Sequence, residues 1–172
     1  MHSSPEPLEP CPGCGAVLPA VEGPTHEYIA ASPACWAVYG TVLAKEYANP
    51  DYWPVHGYTV DAYAAQHPGE NGRRQRQSVA LHLVALCLAF EQGLGQQDLV
   101  RARRELARLR RDWPWFEPPP PSGWTLTVHD VARATDAAEH RRLVLEWSES
   151  VWQGWSRHHA AVRQWATQLR YQ

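Results

Sequence analysis

A chain of 172 residues, 44% of them hydrophobic, with a formal net charge of −2, is long enough to bury a sizeable core as one domain. Near-neutral charge supplies no field to hold a nucleic-acid backbone or an anionic membrane, which disfavours both as partners. No run of about 18 apolar residues is present to span a membrane, and "MHSSPEPLEP" lacks the basic start and apolar stretch of a secretory signal, so the expected location is cytoplasmic.

Residues 1–10, rich in Pro, Ser and Glu, read as a disordered lead-in, and residues 11–172 as a single helical domain with a metal-binding segment at 11–36. That segment, "CPGCGAVLPAVEGPTHEYIAASPACW", holds three of the four cysteines. Two thiols two residues apart across a Pro-Gly turn have the form of a knuckle, and in a reducing compartment clustered cysteines are more often metal ligands than disulfides. Sheet is expected, at most, as a small hairpin at this knuckle. Downstream, Ser32 is an N-cap and Pro33 a first helical residue for a helix that runs to Asn49-Pro50, with Trp36, Tyr39, Leu43 and Tyr47 at helical spacing. Cys35 then lies in that helix's first turn, where the dipole and free N–H groups favour a thiolate.

A short helix follows in "TVDAYAAQHPG", capped by Thr59 and ended by Pro68-Gly69. "QSVALHLVALCLAFEQG" is apolar on nearly every face, which predicts a central helix over 77–92 stopped at Gly93. "DLVRARRELARLRRDW" sets Leu99, Leu106, Leu109 and Trp113 on one side and arginines on the other, and the proline run from Pro118 to Pro121 is a semi-rigid connector. From Thr135 onward, Leu143, Trp147, Val151, Trp155, Val162, Trp165 and Leu169 keep one phase, either as one long helix or as two broken near residues 154–156. The fold class is therefore all-α, a single-domain helical bundle with an irregular N-terminal zinc-knuckle segment.

Tetrahedral zinc needs four ligands. Cys11, Cys14 and Cys35 supply three, in the spacing Cys-x2-Cys-x11-His-x8-Cys, with His26 as the first choice for the fourth and His56 or an open water position as the alternatives. Thiolates select zinc over oxygen-seeking cations. Cys87, amid Leu83, Leu86, Leu88 and Phe90, reads as a core thiol. His82 on the same helix needs a partner for its imidazole, with Asp61, His67 and the histidines of the last segment available. Asp61, His67 and His82 together are the candidates for an acid–base site. His158 and His159 are adjacent, so at most one faces inward. The arginines at 101, 103, 104, 108, 110 and 111 are interleaved with Asp98, Glu105 and Asp112, which describes a solvated face rather than a nucleic-acid stripe. No zincin, phosphate-loop, dinucleotide or serine-hydrolase signature occurs.

The motifs "CPGCGA", "GPTHEY", "ASPACW", "TVDAYAAQHPG" and "QSVALHL" resemble a family of small, uncharacterised bacterial proteins, a domain of unknown function. The resemblance spans most of the chain from residue 11 and implies membership without an activity. It picks out Cys11, Cys14, His26, Cys35, His56, Asp61, Tyr63, His67 and His82. Two readings of function stand side by side. One is a zinc-stabilised helical binding or interaction module, and the other is a metal-dependent or acid–base hydrolase-like enzyme working through Asp61, His67 and His82.

Overall fold

The computed structural model describes residues 7–109 and 111–169. Two strands, β1 (Leu8–Pro10) and β2 (Val17–Pro19), pair antiparallel with Pro10 opposite Val17, and the knuckle Cys11–Cys14 forms the turn between them. The described end of the expected lead-in is thus a strand, because pairing with β2 satisfies backbone groups that its polar side chains could not bury. Its residues 1–6 lie outside the described residues.

Seven α-helices follow among the described residues. Helix α1 (Pro33–Ala48) starts as its sequence predicts, the Ser32 hydroxyl accepting the Cys35 N–H at 3.3 Å. Its buried face is Cys35, Tyr39, Val42 and Glu46, whereas Tyr47 is exposed. The expected stripe is rotated because Cys35 and Glu46 both find polar partners inside the protein. Helix α2 (His56–Gln66) begins three residues before the expected cap, continuing directly from a 3-10 turn at Trp53–Val55. Thr59 therefore caps nothing, and its buried hydroxyl donates to Glu46 instead.

Helix α3 (Arg73–Gln92) packs against α2, α4 (Gln96–Arg108), α6 (Ala137–Gly154) and α7 (His159–Ala166), the central position its apolar circumference predicts. Gly93 ends it in the left-handed conformation at φ 67°. Helix α4 buries Leu99, Ala102 and Leu106 but stops at Leu109, which is left exposed. Trp113 is buried from the segment after α4 rather than from the helix, since helical geometry is disfavoured for the residue before Pro114. Arg101 and Arg108 pair with Asp98 and Glu105 on the solvent face, while Arg110 lies outside the described residues.

A short helix, α5 (Val128–Ala132), is set by a Thr127/Asp130 capping box and packs on α1 and α6. The C-terminal pattern resolves into two helices, α6 and α7, separated by a 3-10 turn at Ser156–His158. Trp147, Trp152 and Trp155 are wholly buried. Two of their indole N–H groups are satisfied, by Gln66 Oε1 and the Ala65 carbonyl, each at 3.0 Å. No helix among the described residues is long and apolar enough to cross a membrane.

Candidate metal centre

Four side chains meet where the hairpin, the start of α1 and the end of α2 converge. The ligand atoms of Cys11, Cys14, Cys35 and His67 all lie within 4.8 Å of one another. Cys14 Sγ is 3.8 Å from Cys35 Sγ, and Cys35 Sγ is 3.4 Å from His67 Nε2. Zinc–sulfur and zinc–nitrogen bonds of about 2.3 and 2.05 Å at tetrahedral angles give edges of about 3.8 and 3.6 Å, close to the Cys14–Cys35 and Cys35–His67 separations.

Each ligand is placed by its own local structure. The Cys11 amide donates to the Ala16 carbonyl and the Gly15 amide to the Cys11 carbonyl, both at 2.8 Å, closing the knuckle around Gly15 at φ 73°. Ser32 holds the amide of Cys35. His67 caps the C-terminus of α2, and its Nδ1–H donates to the Tyr63 carbonyl at 2.7 Å, which fixes the tautomer that leaves Nε2 free to ligate. Gly13 lets the two halves meet, because a Cβ there would fall 2.4 Å from the Ala30 carbonyl oxygen and 2.5 Å from His67 Cδ2. Trp124 donates its indole N–H to the Gly13 carbonyl at 3.1 Å, and the Tyr63 hydroxyl donates to Cys35 Sγ at 3.5 Å.

The electrostatics follow from crowding three thiols in a buried corner. Cys11 is held far below the ordinary thiol value, chiefly by hydrogen bonds from Cys14 and then Cys35. Cys14 is pushed up to about 12, first by its hydrogen bond to Cys11, and Cys35 is raised for the same reason by Cys11 and Cys14. Crowding thus disfavours ionising all three thiols together, and a cation would let all of them ionise. The residues present suit a soft metal ion. All four side chains of the cluster are at most 3% exposed.

The fourth ligand expected from spacing was His26, then His56. The structure brings neither to the cysteines. His26 packs edge-on against Tyr28 and beside Trp36, and its Nδ1 accepts the Tyr28 N–H. His56 donates through Nδ1 to Glu46 at 2.8 Å. The proposed acid–base trio is divided as well. Asp61 accepts from His82 Nδ1 at 2.8 Å and from the Arg103 guanidinium, while His67 is engaged with the thiols.

Glu46, not singled out in the sequence, is the hub of a second buried network. Its carboxylate receives Thr59 at 2.6 Å, His56 at 2.8 Å and His140 at 2.9 Å. Burial pushes this carboxyl up, but His140, His56 and Thr59 together outweigh it and hold it below its ordinary value. One signal in the sequence pointed to it: Glu46 is in helical phase with Cys35, Tyr39 and Val42 on the face that α1 buries. Cys87 is buried as expected, and desolvation raises its thiol to about 11, which disfavours the thiolate. Of the adjacent histidines, His159 is the buried one, donating to the Trp152 carbonyl at 2.8 Å.

Fold and site together define a helical protein built around a Cys3His cluster that can hold a metal ion. Residues 9–156 match the model of the Family of unknown function (DUF5946), and the chain belongs to that family. No curated protein and no solved structure matches it.

Proposed function

We propose that the chain is a zinc protein in which the metal is structural, fastening the N-terminal hairpin to the helical bundle, and that its role is binding or interaction rather than metal catalysis. The observation that carries this is the closed, buried set of three sulfurs and one imidazole nitrogen within 4.8 Å of one another. Zinc is favoured over hard cations by the three thiolates, and reduced, clustered thiols suit a cytoplasmic location. Four protein ligands fill a tetrahedral shell and leave no position for the water that metal-assisted hydrolysis requires, which supports a non-catalytic metal.

The test is metal content by elemental analysis of the purified wild type and of Cys14→Ser and Cys35→Ser, together with amide exchange before and after chelation. One zinc per chain is expected in the wild type and a loss in both variants. Chelation should expose amides of the hairpin and knuckle while those of α3 stay protected, since α3 is enclosed by four helices of the bundle. Full occupancy in both variants would overturn the site, and loss of α3 protection together with the hairpin would overturn the local role of the metal.

A further inference from the structure

Helix α3 carries a second constellation, away from the thiols. Arg74, Ser78 and His82 follow one another at four-residue intervals and so stand in a row along one face of the helix. All three line a cavity of about 380 Å³ whose other walls are Tyr28, Gln77 and Leu81, and it shares no residue with the Cys3His cluster. We propose that this cavity is an acyl-transfer site that hydrolyses small carboxylic esters, with Ser78 as nucleophile, His82 as general base and Asp61 as the residue that positions His82. The activity goes beyond the structural role of the metal and uses no metal.

The site is set from the buried side outward. Asp61 is 1% exposed and accepts the His82 Nδ1–H at 2.8 Å, while the Arg103 guanidinium binds the same carboxylate and fixes its orientation. With the proton on Nδ1, Nε2 of the neutral ring carries the lone pair. Helical side chains lean toward the N-terminus, which carries the imidazole back over the preceding turn, where Ser78 sits. Neither Nε2 nor Ser78 Oγ has a partner among the described residues, and neither is buried, so both are open to solvent where their side chains line the cavity. The free hydroxyl is informative. Ser148, also helical, spends its Oγ on the carbonyl four residues back at 2.7 Å, whereas Ser78 makes no such bond. A serine beside a base that a buried carboxylate orients is the pattern that activates the hydroxyl, whatever order the three take in the chain.

The proton of Ser78 Oγ passes to His82 Nε2 as Oγ bonds the ester carbonyl carbon, giving a tetrahedral adduct. The bond to the leaving oxygen then breaks, and the alcohol departs with that proton. Water repeats the sequence on the acyl-serine, releasing the carboxylic acid and restoring both side chains. Arg74 stands one turn before Ser78, and its pairing with Glu27 at 3.3 Å, both side chains at least 70% exposed, is a weak surface contact. Its guanidinium is therefore free to turn toward the oxygen on which the adduct's charge develops. The cavity is at the small end of the range for small-molecule sites, about 300–1,000 Å³, and Tyr28 and Leu81 give it apolar walls, which suits a short acyl group.

The test uses the zinc-loaded full chain with two probes, p-nitrophenyl acetate for turnover and diisopropyl fluorophosphate for the serine. The wild type should release nitrophenolate catalytically. The fluorophosphate should stop it by forming one Oγ–P bond with loss of fluoride, placed on Ser78 by mass spectrometry, at a rate that rises with pH as His82 loses its proton. Ser78→Ala removes a hydroxyl that bonds nothing among the described residues, so it should fold as the wild type does and lose both label and turnover. His82→Leu should slow labelling by about 100-fold or more, the usual worth of a general base. Asp61→Asn presents an amide to Nδ1 and turns the ring proton toward Ser78, so labelling should fall and lose its rise with pH, which lost packing alone would not produce. No label on Ser78 or no turnover in the wild type, wild-type turnover in Ser78→Ala, or equal labelling of His82→Leu would each overturn the proposal. Zinc content of the same samples is expected to stay at the wild-type value, so failure of this site and failure of the metal reading are seen separately.

Discussion

Replacing His67 by Ala removes one of the four side chains of the Cys3His cluster and leaves the three cysteines in place. The Tyr63 carbonyl is not stranded by the change, because it also accepts the backbone N–H of residue 67 at 3.1 Å. Loss of the side chain therefore strands no backbone acceptor, and its metal-linked part can be read separately by adding zinc. Removing an outer partner of a metal ligand already weakens binding by about 10–100-fold, so removing the ligand itself should cost at least about 100-fold in zinc affinity. At about 1.4 kcal/mol per factor of ten, that is about 3 kcal/mol of zinc-linked stabilisation. The metal-free forms should differ as well, by about 2–5 kcal/mol for a large-to-small change at a buried site, so the metal-linked part is the amount by which added zinc widens the gap between the two proteins. The assay is competition with a chromophoric chelator for affinity, paired with urea denaturation with and without zinc. His26→Ala and His56→Ala are the controls, and both should retain wild-type affinity, since one ring packs on Tyr28 and the other binds Glu46. Undiminished zinc affinity in His67→Ala, or its loss in His26→Ala, would refute the reasoning.

Gly13→Ala should weaken zinc binding although no ligand is replaced, because the new Cβ would lie 2.5 Å from His67 Cδ2 and 2.4 Å from the Ala30 carbonyl oxygen, and the knuckle must move off His67 by roughly an ångström to relieve contacts that close. Chelator competition reads the loss. Glu46 is held below its ordinary value of 4.5, so its contribution to stability is fully present above that pH and is lost as pH falls from there through the lower folded value. The difference in stability between wild type and Glu46→Gln, measured by denaturant titration from neutral to acid pH, should shrink over that interval and not at neutral pH. In the other polar cluster, Asp61→Ala leaves the Arg103 guanidinium without its carboxylate, a loss of about 3 kcal/mol or more, as for other broken buried pairs. His82→Leu removes one of the two groups that bind Asp61 while Arg103 remains, and urea denaturation should show about 1 kcal/mol or less.

What the sequence by itself determined is what local chemistry controls. Ser32-Pro33 places the start of α1, Gly93 the end of α3, and the apolar circumference of residues 79–90 puts α3 at the centre, because caps and periodicity act within a few turns of chain. The Cys-x2-Cys knuckle is equally local, two thiols and a glycine turn within five residues. Tertiary structure decided everything that depends on which helix end meets which. Spacing favoured His26 for the metal because it lies between the cysteines in sequence, yet His67, 32 residues beyond Cys35, arrives through the packing of α2 against α1 and the close approach that Gly13 allows. Likewise Glu46 and His140 are 94 residues apart and meet only when α6 closes over the bundle. A histidine ring or a carboxylate carries no local mark of its partner, since hydrogen bonding and ligation are satisfied by proximity in space, and that proximity is fixed by the burial of apolar faces elsewhere in the chain.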